Sequence, residues 1–270
     1  MGDATRDFLV AAVDAAALRW QDDDQGIWEL RGPPRPFLHS KLMCWVAVDR
    51  GLVMSHALRP GVKRKAAWEA QRHELRNAIL QHGWSERAGS FTQAFGSDDL
   101  DASTLLVAIV GFLPPGDIRL RSTIDAVERE LTDARGLLYR YRGGDGLDGA
   151  EGTFLLCTFW LAQALAITGQ TAPARIVLDR AASYTTGLGL FSEQVDTATG
   201  ELLGNFPQAF SHLGLITAAH ALGQAEHTAS QPSRPRLPAN LCHSPPGLMP
   251  VTVDGNGGPL AGGRGDDHDS

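Results

Sequence analysis

The 270-residue sequence predicts an all-α fold. Three observations carry that prediction. Seven segments repeat apolar residues with helical spacing, strand-type alternation is nearly absent, and several connections are long and mix Gly, Asp, Arg and aromatic residues. Loops in compact domains usually run about 4–6 residues, and long ordered ones tend to carry function. Long loops alternating with long helices suit a helical toroid whose loops line a central pocket. A plain helical bundle with solvated loops fits the same pattern.

In chain order the predicted helices cover 4–20, 37–58, 64–82, 117–133, 152–169, 173–186 and 207–222, with a short one at 101–110. Alanine and leucine dominate these runs. Gly83 stops the third, Pro114-Pro115 precede the fourth, Gly169 ends the fifth and Pro173 lies in the first turn of the sixth. Between them run DDDQGIWELRGPPRP, WSERAGSFTQAFGSDDLD, YRYRGGDGLDGAEG and GLGLFSEQVDTATGELLGN. Residues 1–226 therefore read as one helical domain. The segment 227–270 holds seven of the fifteen prolines and no aromatic residue, so it cannot bury enough apolar surface to offset its ordering entropy. It reads as a disordered Pro/Gly-rich tail.

Composition removes several function classes. Net charge is −7 with no long basic stretch, which argues against a nucleic-acid partner. No apolar run reaches the roughly 18 residues of a membrane span, and the amino-terminal stretch has acids in place of a basic leader. A cytoplasmic location is the default expectation. Cys44 and Cys157 sit inside apolar runs, and with Cys242 they show no paired spacing. Free thiols in a reducing compartment are expected. His39, His56, His73, His82 and His212 lack metal-ligand spacing, so no metal or cofactor is expected and these residues read as structural or surface groups. Ser211 beside His212 lacks a nucleophile elbow or a third partner.

Three loops carry residues suited to chemistry. Trp28-Glu29 puts a carboxylate beside an indole, where partial desolvation would keep it protonated as a general acid requires. Taken alone, it fits better as a surface glutamate near a core tryptophan. Glu193 lies between apolar residues, beside Ser192 and Gln194, where donors could hold it ionised while it orients a water; a turn cluster explains the same residues. Arg140 between Tyr139 and Tyr141 suits a sugar, the guanidinium donating to hydroxyls while a ring packs on the pyranose face. Pairing of Arg140 with Asp145 or Asp148 is the alternative.

Four segments in order resemble glycoside hydrolase family 15, which includes glucoamylases, glucodextranases and trehalases. DQGIWELRG with SKLMCWVAVDRGL resembles its general-acid segment, and GSFTQAFGSDDLDAS its next loop. YRYRGGDGLDGAEGTFLLCTFWLAQAL is similar to its arginine loop and following helix, and GLFSEQVDTATGELLGNFPQAFSHLGLITAAHAL to its general-base segment. The resemblance implies an (α/α)6 toroid that cleaves α-glucosidic bonds with inversion. It implies Glu29 as general acid, Glu193 as general base, Arg140 as a sugar-binding arginine and Trp28 as the aromatic neighbour of the acid. Arg31, Lys41, Trp45 and Gln194 fall inside the matched motifs and are carried as substrate-binding candidates. An inverting pair should stand roughly 6.5–9.5 Å apart to admit a water.

The family's toroid has twelve helices, and this sequence shows about seven or eight. Nothing in it matches the tryptophan-, arginine- and aspartate-rich loop that clamps the non-reducing glucose. The implied chain is an incomplete toroid with uncovered apolar helix faces able to associate, and with weak or no activity by itself. A starch-type oligosaccharide, an isomalto-linked glucan and trehalose all present the α-glucose such a site would take. A non-catalytic carbohydrate-binding or scaffold remnant is the competing class. A helical repeat adaptor would need self-similarity at a fixed period, which is absent.

Overall fold

The computed structural model describes residues 1–142 and 151–230. The long helices are α1 (Asp3–Arg19), α2 (Leu38–Val53), α4 (Val62–His82), α6 (Ile118–Leu131), α7 (Leu155–Ile167), α8 (Thr171–Ala182) and α9 (Ala209–Ser230). Short ones are α3 (Ser55–Leu58) and α5 (Leu106–Ile109), the latter continuing a 3-10 turn at Ala102–Leu105. The all-α class is as expected. Small strands are added in the loops: β1 (Trp84–Ser85) pairs with β2 (Ser90–Phe91), and β3 (Thr153–Phe154), β4 (Gln194–Val195) and β5 (Leu202–Leu203) form an antiparallel sheet in that order. Two-residue strands are too short to show alternation in a sequence.

Two boundaries differ from expectation. The helix expected over 37–58 breaks at Met54, and α3 ends on Arg59 in the left-handed region at φ 50. Pro60 follows, and a residue before proline is pushed out of the right-handed helical region. At the other end α9 continues to Ser230, eight residues past the expected helix end at 222. Thr228 Oγ1 there donates to the Gln224 carbonyl at 2.9 Å and Ser230 Oγ to that of His227 at 2.9 Å, satisfying carbonyls of the last turns. The rest of the tail lies outside the described residues.

The helices pack as an arc. Helix α1 lies against α2 and α4, α2 against α4, α6 against the 3-10 turn and α7, and α7 against α8 and α9. The α1–α2 approach is close because position 51 is glycine: a Cβ there would come within 2.8 Å of Val13. Helix α7 is apolar nearly all round and buries Leu155, Cys157, Phe159, Leu161 and Leu165, as a central helix should. Treating 102–109 as one helical run, long and short connections alternate. The long ones span 20–37, 83–101, 132–154 and 183–208, and the short ones 54–61, 110–117 and 168–170. Bridges from Phe37 to Ala94 and from Asp101 to Tyr141, with the pairing of β3 and β4, bring the four long loops together.

Candidate functional site

The loop 20–37 is closed at its base by an antiparallel bridge between Asp24 and Arg35. Its tip turns through Gly26 at φ 70 and Glu29 at φ 50. A left-handed glutamate is uncommon, and such strain recurs at functional sites. Leu30 N–H donates to the Gln25 carbonyl at 3.0 Å, so the turn is held by its own backbone. The Glu29 side chain is exposed. The desolvation expected from Trp28 is therefore not what this turn provides.

Trp28 instead ties the loop to its neighbours. Its indole N–H donates to both carboxylate oxygens of Asp101, at 2.9 and 3.1 Å. Its ring meets Phe154 edge-on at 5.7 Å and Trp160 at 6.1 Å. The Arg140 guanidinium lies 5.4 Å from the Trp28 ring, 5.4 Å from Phe154 and 5.6 Å from Tyr141. Its ion-pair partner is Glu151; Asp145 and Asp148 lie outside the described residues. Tyr139 does not share this seat. It packs under Arg142, 4.5 Å from ring centre to guanidinium.

Phe154 links the early loops to the late one. In β3 it stands opposite Gln194 of β4, and Leu155 N–H donates to the Glu193 carbonyl at 3.1 Å. A continuous path thus runs from Glu29 through Trp28, Phe154 and Gln194 to Glu193. The Glu193 side chain is half-buried. Its Oε2 accepts from Asn205 N–H and from Asn205 Nδ2, both at 3.0 Å. The donors are therefore those of Asn205, across the hairpin, and not the adjacent Ser192 and Gln194. Ser192 Oγ is spent on the Gln194 carbonyl at 2.7 Å.

The carboxylate fits because residue 204 is glycine at φ 75: a Cβ there would lie 2.7 Å from Glu193 Oε2. Gly204→Ala should displace Glu193 from its Asn205 donors and cost about 1–2 kcal/mol from the left-handed backbone alone. Urea unfolding and a crystal structure of the variant check this; an unmoved Glu193 with unchanged stability would refute it.

The other candidates are scattered. Lys41 is buried, with its ammonium donating to the Asp22 carbonyl. Trp45 is buried with its ring edge-on to Phe112 at 4.9 Å, inside the core. Lys41, in the first turn of α2, thus ties that helix to the loop 20–37, while Trp45 lies one turn further along it. Arg31 is exposed, and Gln194 is half-buried in the path already described. Among the described residues no cluster of His, Cys, Asp and Glu could hold a metal ion. His212 is structural: Nδ1 lies 2.7 Å from the Gln208 carbonyl and Nε2 is 3.4 Å from Phe191 N–H, while Ser211 Oγ is buried and bonded to the Ser192 carbonyl. Cys44 and Cys157 are free thiols, and burial pushes the Cys157 thiol well up.

Sequence reasoning passed over Asp101, Asn205, Glu151 and Phe154. Asp101 is fully buried, and burial raises its carboxyl above the usual range despite its hydrogen bonds. Its only local signal is a helix cap: its side chain accepts from Ser103 N–H at the 3-10 turn.

His39, in the first turn of α2, is lowered to about 4 by burial, partly opposed by Asp24. The neutral ring is the folded form. As pH falls below about 6.5 the unfolded chain takes up a proton that the folded chain refuses, so stability drops until about pH 4. This one group should remove up to about 3 kcal/mol over that window. Urea midpoints at pH 7 and pH 4.5 should differ less in His39→Gln than in the wild type; an equal difference would count against the assignment.

Comparisons with known proteins were made against this geometry. A family model described as glycosyl hydrolases family 15 matches residues 5–220. A trehalase of Mycobacterium tuberculosis is 46% identical over 225 residues, covering 82% of this chain and 32% of its own length. A trehalase of Thermoplasma volcanium is 37% identical over 219 residues, covering 81% and 35%. The chain thus spans about a third of the length of these relatives. Among solved structures, a glycosidase in complex with glucose superposes with a TM-score of 0.66 at 22% identity, covering 78% of this chain and 58% of the other. A family 15 glucoamylase from Hypocrea jecorina gives 0.64 at 15% identity, covering 82% and 48%. These likenesses establish the fold as an arc of a helical toroid.

Proposed function

The chain belongs to glycosyl hydrolases family 15, and from that premise we propose that it serves hydrolysis of an α-glucosidic bond with inversion, with trehalose as substrate. The observation that carries this reading is the path of contacts joining Glu29 to Glu193 through Trp28, Phe154 and Gln194. Glu29 donates a proton to the leaving glycosidic oxygen. Its exposed turn leaves it open to a substrate arriving from the loop end. Glu193, with Oε2 held by Asn205, takes a proton through its other oxygen from a water on the opposite face of the ring. Arg140 in its aromatic seat faces sugar hydroxyls and ring faces. Trp28 and Gln194 line the same path, and Arg31 flanks it. Trehalose is favoured because the relatives at 46% and 37% identity are trehalases. Free thiols at Cys44 and Cys157 suit a cytoplasmic setting. No helix among the described residues is long and apolar enough to cross a membrane.

The arc is open at both ends, and association through those ends is part of the proposal. From 209 to 225, α9 carries no Asp, Glu, Lys or Arg, yet Phe210, Leu213 and Ile216 are exposed. Helix α1 likewise exposes Phe8 and Leu18. A helix uncharged on every side is one that another element covers. The occupant we assign is the remaining helical part of a family 15 toroid, since the solved toroids extend beyond what this chain matches. Mixing the chain with the unmatched portion of the Mycobacterium tuberculosis trehalase should give a 1:1 complex by analytical ultracentrifugation. Leu213→Asp should abolish it. A stable homodimer of the chain alone would instead identify a second copy as the occupant.

Glucose release from trehalose, maltose and isomaltose tests the activity. The chain alone should be weak or inactive, and the complex active on trehalose, releasing α- and β-glucose in equal amounts at first by NMR, as inversion at one of the two anomeric carbons requires. A complex that forms but releases no glucose from any of the three would overturn the hydrolase reading without touching the association, whereas initial release of α-glucose alone from trehalose would overturn inversion.

A further inference from the structure

Asp101 ends the loop 83–101 and is 1% exposed. Its carboxylate collects three neutral donors: Trp28 Nε1 to both oxygens at 2.9 and 3.1 Å, Gln93 Nε2 at 3.1 Å and Ser103 N–H at 2.7 Å. The backbone around it joins a further loop. Asp101 bridges Tyr141, and Ala102 N–H donates to the Arg140 carbonyl at 2.8 Å. The carboxylate therefore ties the turn bearing Glu29 to its own loop, and the backbone at 101–102 joins the loop bearing Arg140.

Capping alone does not explain this. A cap needs one oxygen on one backbone N–H, and exposed Asn or Ser meets that need as well as a buried acid. Burying a carboxylate is costly unless its lone pairs are satisfied. Here two of its four contacts go to one indole. An acceptor on the indole N–H also pushes electron density into the ring, and the Arg140 guanidinium lies over that same ring. The carboxylate thereby strengthens the cation–π contact that seats the arginine.

We propose that Asp101 is a positioning residue for the reaction: by holding the Trp28 indole it fixes both the Glu29 turn and the aromatic seat of Arg140. This rests on the assignment of Glu29 as the acid. The test uses Asp101→Asn, which keeps the shape but replaces an acceptor with a donor, Trp28→Phe, which removes the indole N–H, and the double variant. Indole ¹⁵N–¹H spectra of the chain identify the Trp28 resonance as the one missing from Trp28→Phe. Asp101→Asn should shift that resonance. In the trehalose assay of the complex it should lower kcat by on the order of tenfold to a hundredfold with little change in KM. Adding it to Trp28→Phe should cost little more, since both act through one contact. An unmoved Trp28 resonance overturns the proposal, as do additive losses or a loss that merely follows the folded fraction measured by circular dichroism. If the wild-type complex hydrolyses nothing, the functional reading has failed on its own, and the indole resonance alone decides whether Asp101 holds Trp28.

Discussion

In the complex with the remaining toroid, Glu193→Gln should lower glucose release from trehalose by about 10²–10⁴-fold, the usual contribution of a general base, while leaving sugar binding in place. Glutamine keeps the length and one oxygen that can accept from Asn205, so the hairpin 194–203 has no reason to unfold. What it lacks is a basic oxygen for the water. Isothermal titration with trehalose separates the outcomes. Lost hydrolysis with binding retained fits a base, whereas lost binding would make Glu193 a sugar contact. Undiminished hydrolysis would remove it from the mechanism.

The second large effect lies beneath that residue. Phe159→Ala should destabilise the fold by about 3–5 kcal/mol, a large share of a typical net stability of about 5–15. Phe159 is fully buried on α7 and meets Phe191 edge-on at 5.7 Å. On its other side α9 approaches so closely that a Cβ on Gly214 would come within 3.0 Å of Phe159. Phe191 in turn meets His212 edge-on at 5.2 Å and lies two residues before Glu193. The cavity would open under the loop bearing Glu193, so the complex made with the variant should also lose activity at temperatures where it remains folded. A drop below about 1 kcal/mol in urea unfolding would show that the site collapses to fill the space.

Most helices were legible because they bury one face against a neighbour, which leaves a 3.6-residue period in the sequence, and α7 because its apolar run is nearly unbroken. Their stops were legible where a backbone constraint is written in the residue type, as at Gly83 and Gly169. Glu29 and Glu193 became candidates through the order of four motifs, since each alone is an unremarkable loop glutamate. The roles of individual neighbours were not legible. Lys41 and Trp45 lie in the same motif stretch as residues of the path, but only the fold showed that Lys41 bonds to the Asp22 carbonyl and that Trp45 packs on Phe112. Asp101 reads as a cap, because its main partner Trp28 is far away in sequence and is brought to it by the fold. Asn205 outranks Ser192 and Gln194 as a donor because the β4–β5 hairpin folds it back over Glu193.

The sequence by itself determined the all-α class, the approximate helix positions, the four long loops and the motif order that makes Glu29 and Glu193 candidates. Those follow from local constraints: periodicity, glycine and proline punctuation, and motif order along one chain. Tertiary structure alone decided which donors hold Glu193, where the Trp28 indole points, and that Arg140 sits among three rings beside Glu151. Hydrogen-bond direction and ring contact depend on residues distant in sequence, and they become defined when packing of α7 against α9 and pairing of β3 with β4 bring the loops together.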